Sequence, residues 1–92
     1  MKDFHNKVAV ITGAGGGVGS ALAQQLAARG CHLALVDISE PALVKVADAL
    51  AGSHIKVSRH VVDITSKTQM ADLPDAVLAA HGKVNLLVNN AG

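Results

Sequence analysis

Apolar runs and helix-like apolar stripes alternate regularly along the 92-residue chain. Some of the runs are continuous and rich in branched aliphatic residues, which is typical of strands buried on both faces of a parallel sheet. They predict buried strands over residues 7–12 and 32–37, and a fourth strand over residues 84–89. The segment 55–63 differs, because apolar Ile55, Val57 and Val61 alternate with polar neighbours. It predicts a strand at the edge of the sheet rather than at its centre.

Three helices are predicted between these strands, each from apolar residues at helical spacing and from capping residues at its ends. Their ranges are 18–29, from Ser39 or Glu40 to Gly52, and from Thr65 or Ser66 to Gly82. The apolar face of the first helix is predicted at Val18, Ala21, Leu22 and Leu26. Pro74 lies inside the third helix and is expected to kink or restart it, because proline lacks the N–H that the helix needs.

The alternation of strand and helix at this spacing predicts right-handed βαβ crossovers and a parallel sheet. In the doubly wound order 3-2-1-4-5-6 the third strand lies at an edge, which agrees with the polar alternation of residues 55–63. The predicted fold class is therefore α/β, a Rossmann-type doubly wound parallel sheet. The chain would supply its first four strands in the order 3-2-1-4, so we expect residues 1–92 to be the N-terminal part of a dinucleotide-binding domain, truncated after the fourth strand.

Composition and charge exclude several classes of protein. Hydrophobic residues make up 50% of the chain and charged residues 16%, and the mean hydropathy is +0.37. The net charge is only +1 and the basic residues are scattered, so we expect neither a nucleic-acid partner nor an acidic membrane surface. No apolar run approaches the ~20 residues of a membrane span, and the polar start does not resemble a signal peptide. With Cys31 as the single cysteine, these features predict a cytoplasmic protein. The five histidines lie far apart in sequence, so no metal site is predicted.

A glycine-rich segment, TGAGGGVG at residues 12–19, joins the first predicted strand to the first predicted helix, and we call it the glycine loop. Free N–H groups and the positive dipole end at a helix N-terminus favour a phosphate group, and glycines let the backbone approach it. The P-loop pattern is excluded because the segment has no lysine. The G-x-G-x-x-G spacing fails as well, because Val18 and Ser20 occupy the positions where the third glycine is required.

Two other spacings fit the glycine loop. The pattern T-G-x-x-x-G-x-G is matched by Thr12, Gly13, Gly17 and Gly19. It is the signature of the short-chain dehydrogenase/reductase family, which this sequence resembles. Gly13, Gly16 and Gly19 also match T-G-x-x-G-x-x-G, the pattern of the extended, epimerase-like branch of that family. The sequence NNAG at residues 89–92 matches the motif of the non-extended branch, and the resemblance is therefore to that branch.

Asp37 ends the second predicted strand and lies 18 positions after Gly19, near the ~20-residue offset of a ribose-binding acid. A carboxylate there accepts hydrogen bonds from both ribose hydroxyls and repels a 2′-phosphate, so we expect NAD to be preferred over NADP. Relatives that prefer NADP usually place Arg or Lys at the positions that Gly16 and Ile38 hold here. The alternative is that Asp37 only caps the next helix.

The resemblance implies roles for further residues. Asp63 and Ile64, after the third strand, would contact the adenine, although Asp63 could also simply terminate the strand. Asn90 would line the adenosine side of the cleft, and Val18 would pack near the nicotinamide. The predicted cofactor-binding residues are Gly13, Gly16, Gly17, Val18, Gly19, Asp37, Ile38, Asp63, Ile64 and Asn90.

Two asparagines near the fourth strand are expected to have structural roles. By resemblance, Asn89 ties neighbouring strands together through its side-chain amide. Asn85 stands where the family often has Asp, and we expect this difference to affect only a local turn.

The family's chemistry uses a Tyr-x-x-x-Lys pair on a later helix, where the tyrosine gives or takes the hydroxyl proton while hydride passes at nicotinamide C4. The chain contains no tyrosine, so no catalytic residue is assigned and the 92-residue chain alone is expected to be inactive. The resemblance implies that the whole protein is a homo-oligomeric oxidoreductase acting on a small-molecule alcohol or ketone. The alternative is a standalone nucleotide-binding or regulatory module without catalysis.

Overall fold

The computed structural model describes residues 3–90, in which strands and helices alternate strictly. In chain order the elements are β1 (Val8–Thr12), α1 (Gly17–Ala28), β2 (His32–Asp37), α2 (Glu40–Ala49), β3 (Val57–Val61), α3 (Lys67–His81) and β4 (Leu86–Asn89). All strand pairs are parallel and the order is β3-β2-β1-β4. The predicted α/β class, the order 3-2-1-4 and the edge position of the third strand are confirmed.

The two central strands, β1 and β2, are buried because helices cover both faces of the sheet. We call the side that α1 and α2 cover the first face; its strand residues include Ala9, Ile11, Leu33 and Leu35. The second face, which α3 covers, includes Val10, Ala34 and Val36. This division follows from right-handed crossovers, because the chain moves from β1 outward to β3 and then returns to the other side of β1.

Helix α1 buries a different stripe from the predicted one. Its buried residues are Gly19, Ala23 and Ala27, whereas Val18 is 67% exposed and Ala21 is also exposed. Small residues four positions apart let the helix axis approach the sheet closely, and larger side chains at those positions would hold it away. The predicted face is therefore wrong at Val18 and Ala21, whereas Leu26 of the predicted stripe does pack against the core.

The ends of the other helices agree with their capping residues. The hydroxyl of Ser39 caps α2, and that of Ser66, rather than Thr65, caps α3. Gly82 ends α3 in the left-handed region, with φ +78°. The helix continues through Pro74, so the predicted restart is wrong. Side chains before and after the proline, such as Leu73, are buried against the second face, and this burial offsets the lost N–H donor.

Asn85 joins β4 to β1. Its Oδ1 accepts a hydrogen bond from the Val8 N–H at 2.9 Å, and its own N–H donates to the Val8 carbonyl oxygen at 2.9 Å. Asn85 therefore links two strands, and the hydrogen bond from Val8 uses a side-chain oxygen that Asp would also provide. Because β4 begins at Leu86 and not at Val84, the asparagine extends the strand pairing with its side chain where the backbone ladder has not yet begun.

Candidate functional site

The carboxyl ends of the four strands meet at one edge of the sheet, and most of the predicted site residues gather there. In a doubly wound sheet, ligands bind at this edge, beside the point where the strand order reverses. Here the order reverses at β1, which lies between β2 and β4. One cavity of about 160 Å³ is lined by Gly13, Asp37, Ile38, Val62, Asp63 and Ile64. The structure thus brings together five residues that sequence reasoning had assigned separately.

The Asp37 carboxylate is held from two sides by backbone donors. The Gly15 N–H donates to Oδ2 at 2.9 Å, and the Ser39 N–H donates to Oδ1 at 3.0 Å. Each carboxylate oxygen accepts up to two hydrogen bonds, so each keeps one acceptor position for a ligand. Two adjacent acceptor positions suit a vicinal diol such as the hydroxyls of a ribose. Ser39, not Asp37, provides the side-chain cap of α2.

The absence of a side chain has different consequences at different glycines of the loop. A Cβ on Gly19 would lie 2.2 Å from the Gly13 carbonyl oxygen, so Gly19 permits contact between loop and helix. A Cβ on Gly16 would meet only that same oxygen, at 3.5 Å, and a Cβ on Gly17 would meet nothing within 4 Å. The space beside Gly16 and Gly17 is therefore open. It adjoins the start of α1, which has no side-chain cap, so its first N–H groups are free to receive an anion.

A hydrogen-bonded cluster joins the ends of β1 and β4 beside the glycine loop. The Thr12 hydroxyl donates to Asn89 Oδ1 at 3.1 Å, which confirms the expected link between strands through the Asn89 amide. The Asn90 N–H donates to Thr12 Oγ1 at 3.0 Å, and its side-chain Nδ2 donates to the Gly13 carbonyl oxygen at 3.3 Å. Asn90 is thus held against the loop. Ala91 and Gly92, the last two residues of the NNAG motif, lie outside the described residues.

Two of the predicted site residues expose large apolar side chains. Val18, in the first turn of α1, is 67% exposed, and Ile38, directly after β2, is 66% exposed. An aromatic ring of a ligand could cover either side chain and remove its apolar surface from water. The position of Val18 at the edge of the site therefore fits the apolar contact that the resemblance implies for it.

Asp63 has a structural role as well as a place in the cavity. Its Oδ1 accepts from the Thr65 N–H at 2.9 Å and from the Thr65 hydroxyl at 2.6 Å. These bonds lower the pKa of the exposed Asp63 carboxyl below its ordinary value. The contacts shape the turn that leads into α3, so the two interpretations of Asp63 are compatible.

The sequence interpretation missed a cation near the glycine loop. Lys45, on α2, lines a groove together with Gly15, Gly16 and Gly17. It lies three positions after Ala42, which also lines that groove, so the helical period of α2 was the signal that could have found it. Only the positions now held by Gly16 and Ile38 had been considered for a cation.

Two histidines that are distant in sequence meet on the second face. His60 Nε2 lies 2.7 Å from Ser58 Oγ, and His81 Nε2 lies 2.8 Å from the same oxygen. Burial lowers the pKa of both imidazoles, and electrostatic repulsion from Lys56 and from the neighbouring histidines lowers the pKa of His81 further. The fold therefore brings together two histidines that lie far apart in sequence.

Within residues 3–90, no three His, Cys, Asp or Glu side chains lie close enough to hold a metal ion. No helix in the same part of the chain is long and apolar enough to cross a membrane. Cys31 is buried, and burial raises the pKa of its thiol. A thiol with a raised pKa is a weak nucleophile at neutral pH.

Comparison with known proteins identifies relatives of the chain. The family model described as short chain dehydrogenase matches residues 7–92. A "CLA biosynthesis dehydrogenase/reductase" of Lactiplantibacillus plantarum is 39% identical over 92 residues, which is 100% of this chain and 32% of that protein. The chain therefore spans about a third of the length of this relative.

Two solved structures show the same arrangement of strands and helices. A short chain dehydrogenase/reductase from Burkholderia phymatum, in complex with NAD, is 44% identical with a TM-score of 0.88, over 95% of this chain and 31% of that one. A metagenomic short-chain oxidoreductase in complex with NADP is 34% identical with a TM-score of 0.89, over 97% of this chain and 40% of that one. Chains similar to this one thus bind either nicotinamide cofactor.

Proposed function

Because the chain belongs to the short chain dehydrogenase family, we propose that it is the N-terminal, NAD-binding part of an oxidoreductase acting on an alcohol or ketone. The observation that carries this proposal is the Asp37 carboxylate, which is fixed beside the glycine loop with one acceptor position left on each oxygen. A nicotinamide cofactor, when bound, supplies the hydride acceptor or donor. The contribution of this chain is to bind and orient that cofactor.

The described residues fit the parts of a dinucleotide. Asp37 would accept hydrogen bonds from the adenosine ribose, and the open space at Gly16 and Gly17 would admit the pyrophosphate at the start of α1. Ile38 would contact the adenosine, and Val18 would lie towards the nicotinamide. The remaining members of the proposed site are Gly13, Gly19, Asp63, Ile64 and Asn90.

We propose that the site prefers NAD over NADP because the Asp37 carboxylate repels a 2′-phosphate. Replacing Asp37 by Ala removes a charged hydrogen-bond acceptor and should weaken NAD binding by ~1.5–3 kcal/mol. Calorimetric titration of the complete protein with NAD and with NADP measures both affinities. Asp48→Ala, an exposed change on α2, is the matched control. Tighter binding of NADP, or an unchanged NAD affinity in Asp37→Ala, would contradict the proposal.

Lys45 provides a second test of cofactor choice. Its place on the groove beside Gly15–Gly17 would let its ammonium group attract a 2′-phosphate and so reduce the preference for NAD. A Lys45→Gln variant should therefore lower the affinity for NADP and leave the affinity for NAD unchanged. Equal losses for both cofactors would indicate that Lys45 contacts a part that NAD and NADP share.

We also propose that catalysis requires residues that this sequence does not contain. The 92-residue chain has no tyrosine to serve as acid or base, so it should form no NADH from any panel of secondary alcohols. A reproducible, protein-dependent signal from this chain would refute the assignment of the mechanism. If the complete gene product binds NAD but oxidises no alcohol, the standalone-module alternative gains support. The same proposal includes a cytoplasmic location and a homo-oligomeric state, and size-exclusion chromatography of the complete protein can test the oligomeric state.

A further inference from the structure

Gly15 is enclosed by the two residues that lie next to it in space. A Cβ on Gly15 would lie 2.5 Å from the Ala42 Cβ and 3.0 Å from Asp37 Oδ2. Gly15 is not one of the glycines with a left-handed φ, so its backbone conformation would allow a side chain. The requirement for glycine at this position is therefore steric.

Ala42 cannot easily move away from Gly15. Its N–H donates to the Ser39 hydroxyl at 3.3 Å, and the next residue, Leu43, is fully buried in the core of the first face. Ser39 is in turn the residue whose N–H holds Asp37 Oδ1. Ala42 and the cap of α2 thus form a wall beside Gly15, and the Asp37 carboxylate lies close to the same Cβ position.

Gly15 also positions the Asp37 carboxylate through its backbone N–H. Its hydrogen bond to Oδ2 is 2.9 Å long, and because the donor belongs to the loop backbone, the distance between loop and carboxylate is set by how closely Gly15 approaches α2. A side chain on Gly15 would be held by Ala42 and would press on Asp37, whose side chain is the more easily rotated of the two.

We propose that Gly15 and Ala42 are a pair of positioning residues that together fix the Asp37 carboxylate for binding a ribose with a free 2′-hydroxyl. This inference rests on the proposed function and extends it, because it assigns part of the cofactor choice to a contact between the loop and α2. The size of the side chain at position 42 then decides how well position 15 tolerates anything larger than glycine.

The test compares five variants of the complete protein, three single and two double, by calorimetric titration with NAD and with NADP. Gly15→Ala should weaken NAD binding about ten- to hundredfold, the range for losing a hydrogen bond to a charged group, and should change NADP binding much less. Ala42→Gly should weaken NAD binding less than Gly15→Ala does, because the Gly15 N–H can still donate to Asp37 Oδ2 when the Ala42 Cβ is removed. Adding Ala42→Gly to Gly15→Ala should restore most of the NAD affinity, because the new Cβ can then move away from Asp37. Ala49→Gly, an exposed change on the same helix, is the control for the cost of glycine in α2 and should not rescue Gly15→Ala.

A purely structural role for Gly15 would lower the thermal midpoint without changing the ratio of NAD to NADP affinity, so thermal melts accompany each titration. If Gly15→Ala does not fold, Ala42→Val presses on Gly15 from the opposite side and should lower the same ratio. An unchanged ratio in the variants, with NAD bound by the unmodified chain, overturns the positioning role and leaves the proposed function intact. If the unmodified chain binds neither cofactor, the proposed function fails and this inference fails with it.

Discussion

The two faces of the sheet are covered to very different extents. On the first face, α1 and α2 bury Ile11, Leu33 and Leu35 completely, and two side chains of β4 also pack there in part. On the second face, α3 covers β1 and β2 but leaves a groove of about 460 Å³ beside β4. We call it the α3 groove; its apolar lining includes Met70, Leu73, Val77, Leu78, Val84 and Leu87. Leu87 is 67% exposed, whereas Ala9, Ile11, Leu33 and Leu35 on the first face are fully buried.

The difference follows from the path of the chain. Two crossovers place helices on the first face, and the reversal after β3 sends only α3 across the second. The same reversal opens the crevice at the carboxyl ends of β1 and β4, where the glycine loop and Asn90 lie. Thus the topology that creates the binding site also leaves one face partly open, and we expect the second face to need further chain to complete it.

The largest expected loss of stability comes from a substitution in the core of the first face. Leu35→Ala removes a fully buried side chain that α1 and α2 enclose, and it should lower the free energy of unfolding of the 92-residue chain by about 2–5 kcal/mol. Denaturant titration followed by circular dichroism measures this loss. The matched change on the second face, Leu87→Ala, should cost less than about 0.5 kcal/mol. Equal losses of unfolding free energy would show that the two faces contribute equally to the stability of the 92-residue chain.

A second expected effect concerns the isolated 92-residue chain. The α3 groove and the unpaired edge of β4 should leave this chain marginally stable, since a small domain has only a few kcal/mol to lose, and should favour association. We expect a broad thermal transition and species larger than a monomer in size-exclusion chromatography. Leu87→Lys should shift the chain towards monomer, and the exposed change Gln25→Lys on α1 should not. A monomer with a sharp, cooperative melt well above room temperature would contradict this expectation.

Lowering the pH is expected to have a smaller effect on stability, through two histidines on the second face. Folding lowers the pKa of His60 and of His81 below the ordinary value of 6.5, first through burial. Because the two pKa values are lower in the folded state, the unfolded state binds protons first as the pH falls. The contribution of the two histidines to stability is therefore fully present above pH 6.5 and is lost as the pH falls from 6.5 towards the folded pKa values. Protonation would also place positive charge beside Lys56 and His32, which already lower the pKa of His81 by repulsion.

The pH dependence of the unfolding free energy measures this term. His81→Gln should reduce the loss of stability on acidification, and His54→Gln, an exposed histidine with no hydrogen bond to Ser58, should leave it unchanged. If His81→Gln retains the full dependence, the cluster around Ser58 does not contribute to it.

The parts of the fold that the sequence predicted depend on neighbours along the chain. Continuous apolar runs indicated β1 and β2, and polar alternation indicated the exposed edge at β3, because burial on both faces and burial on one face select different patterns. Ser39 and Gly82 marked helix ends because they satisfy backbone groups locally.

The parts that the sequence did not predict depend on contacts between distant segments. Lys45 comes near the glycine loop only because α2 crosses beside it, and His81 reaches Ser58 only because α3 returns over β3. The face of α1 was misjudged because close approach to a sheet selects small residues such as Ala23, which hydrophobic scales rank low. The residue pattern of a single helix or strand does not show which distant segments it will contact.

The link between Asn85 and Val8 has a consequence for the order of folding. These residues are separated by 77 positions, whereas Val8 and its partner His32 in β2 are separated by 24. Closing the longer loop costs about 1 kcal/mol more chain entropy, so pairing of β1 with β2 should precede the docking of β4 in time. Since Asn90 reaches Gly13 only after β4 has docked, we expect the crevice for the cofactor to be assembled in the last step of folding.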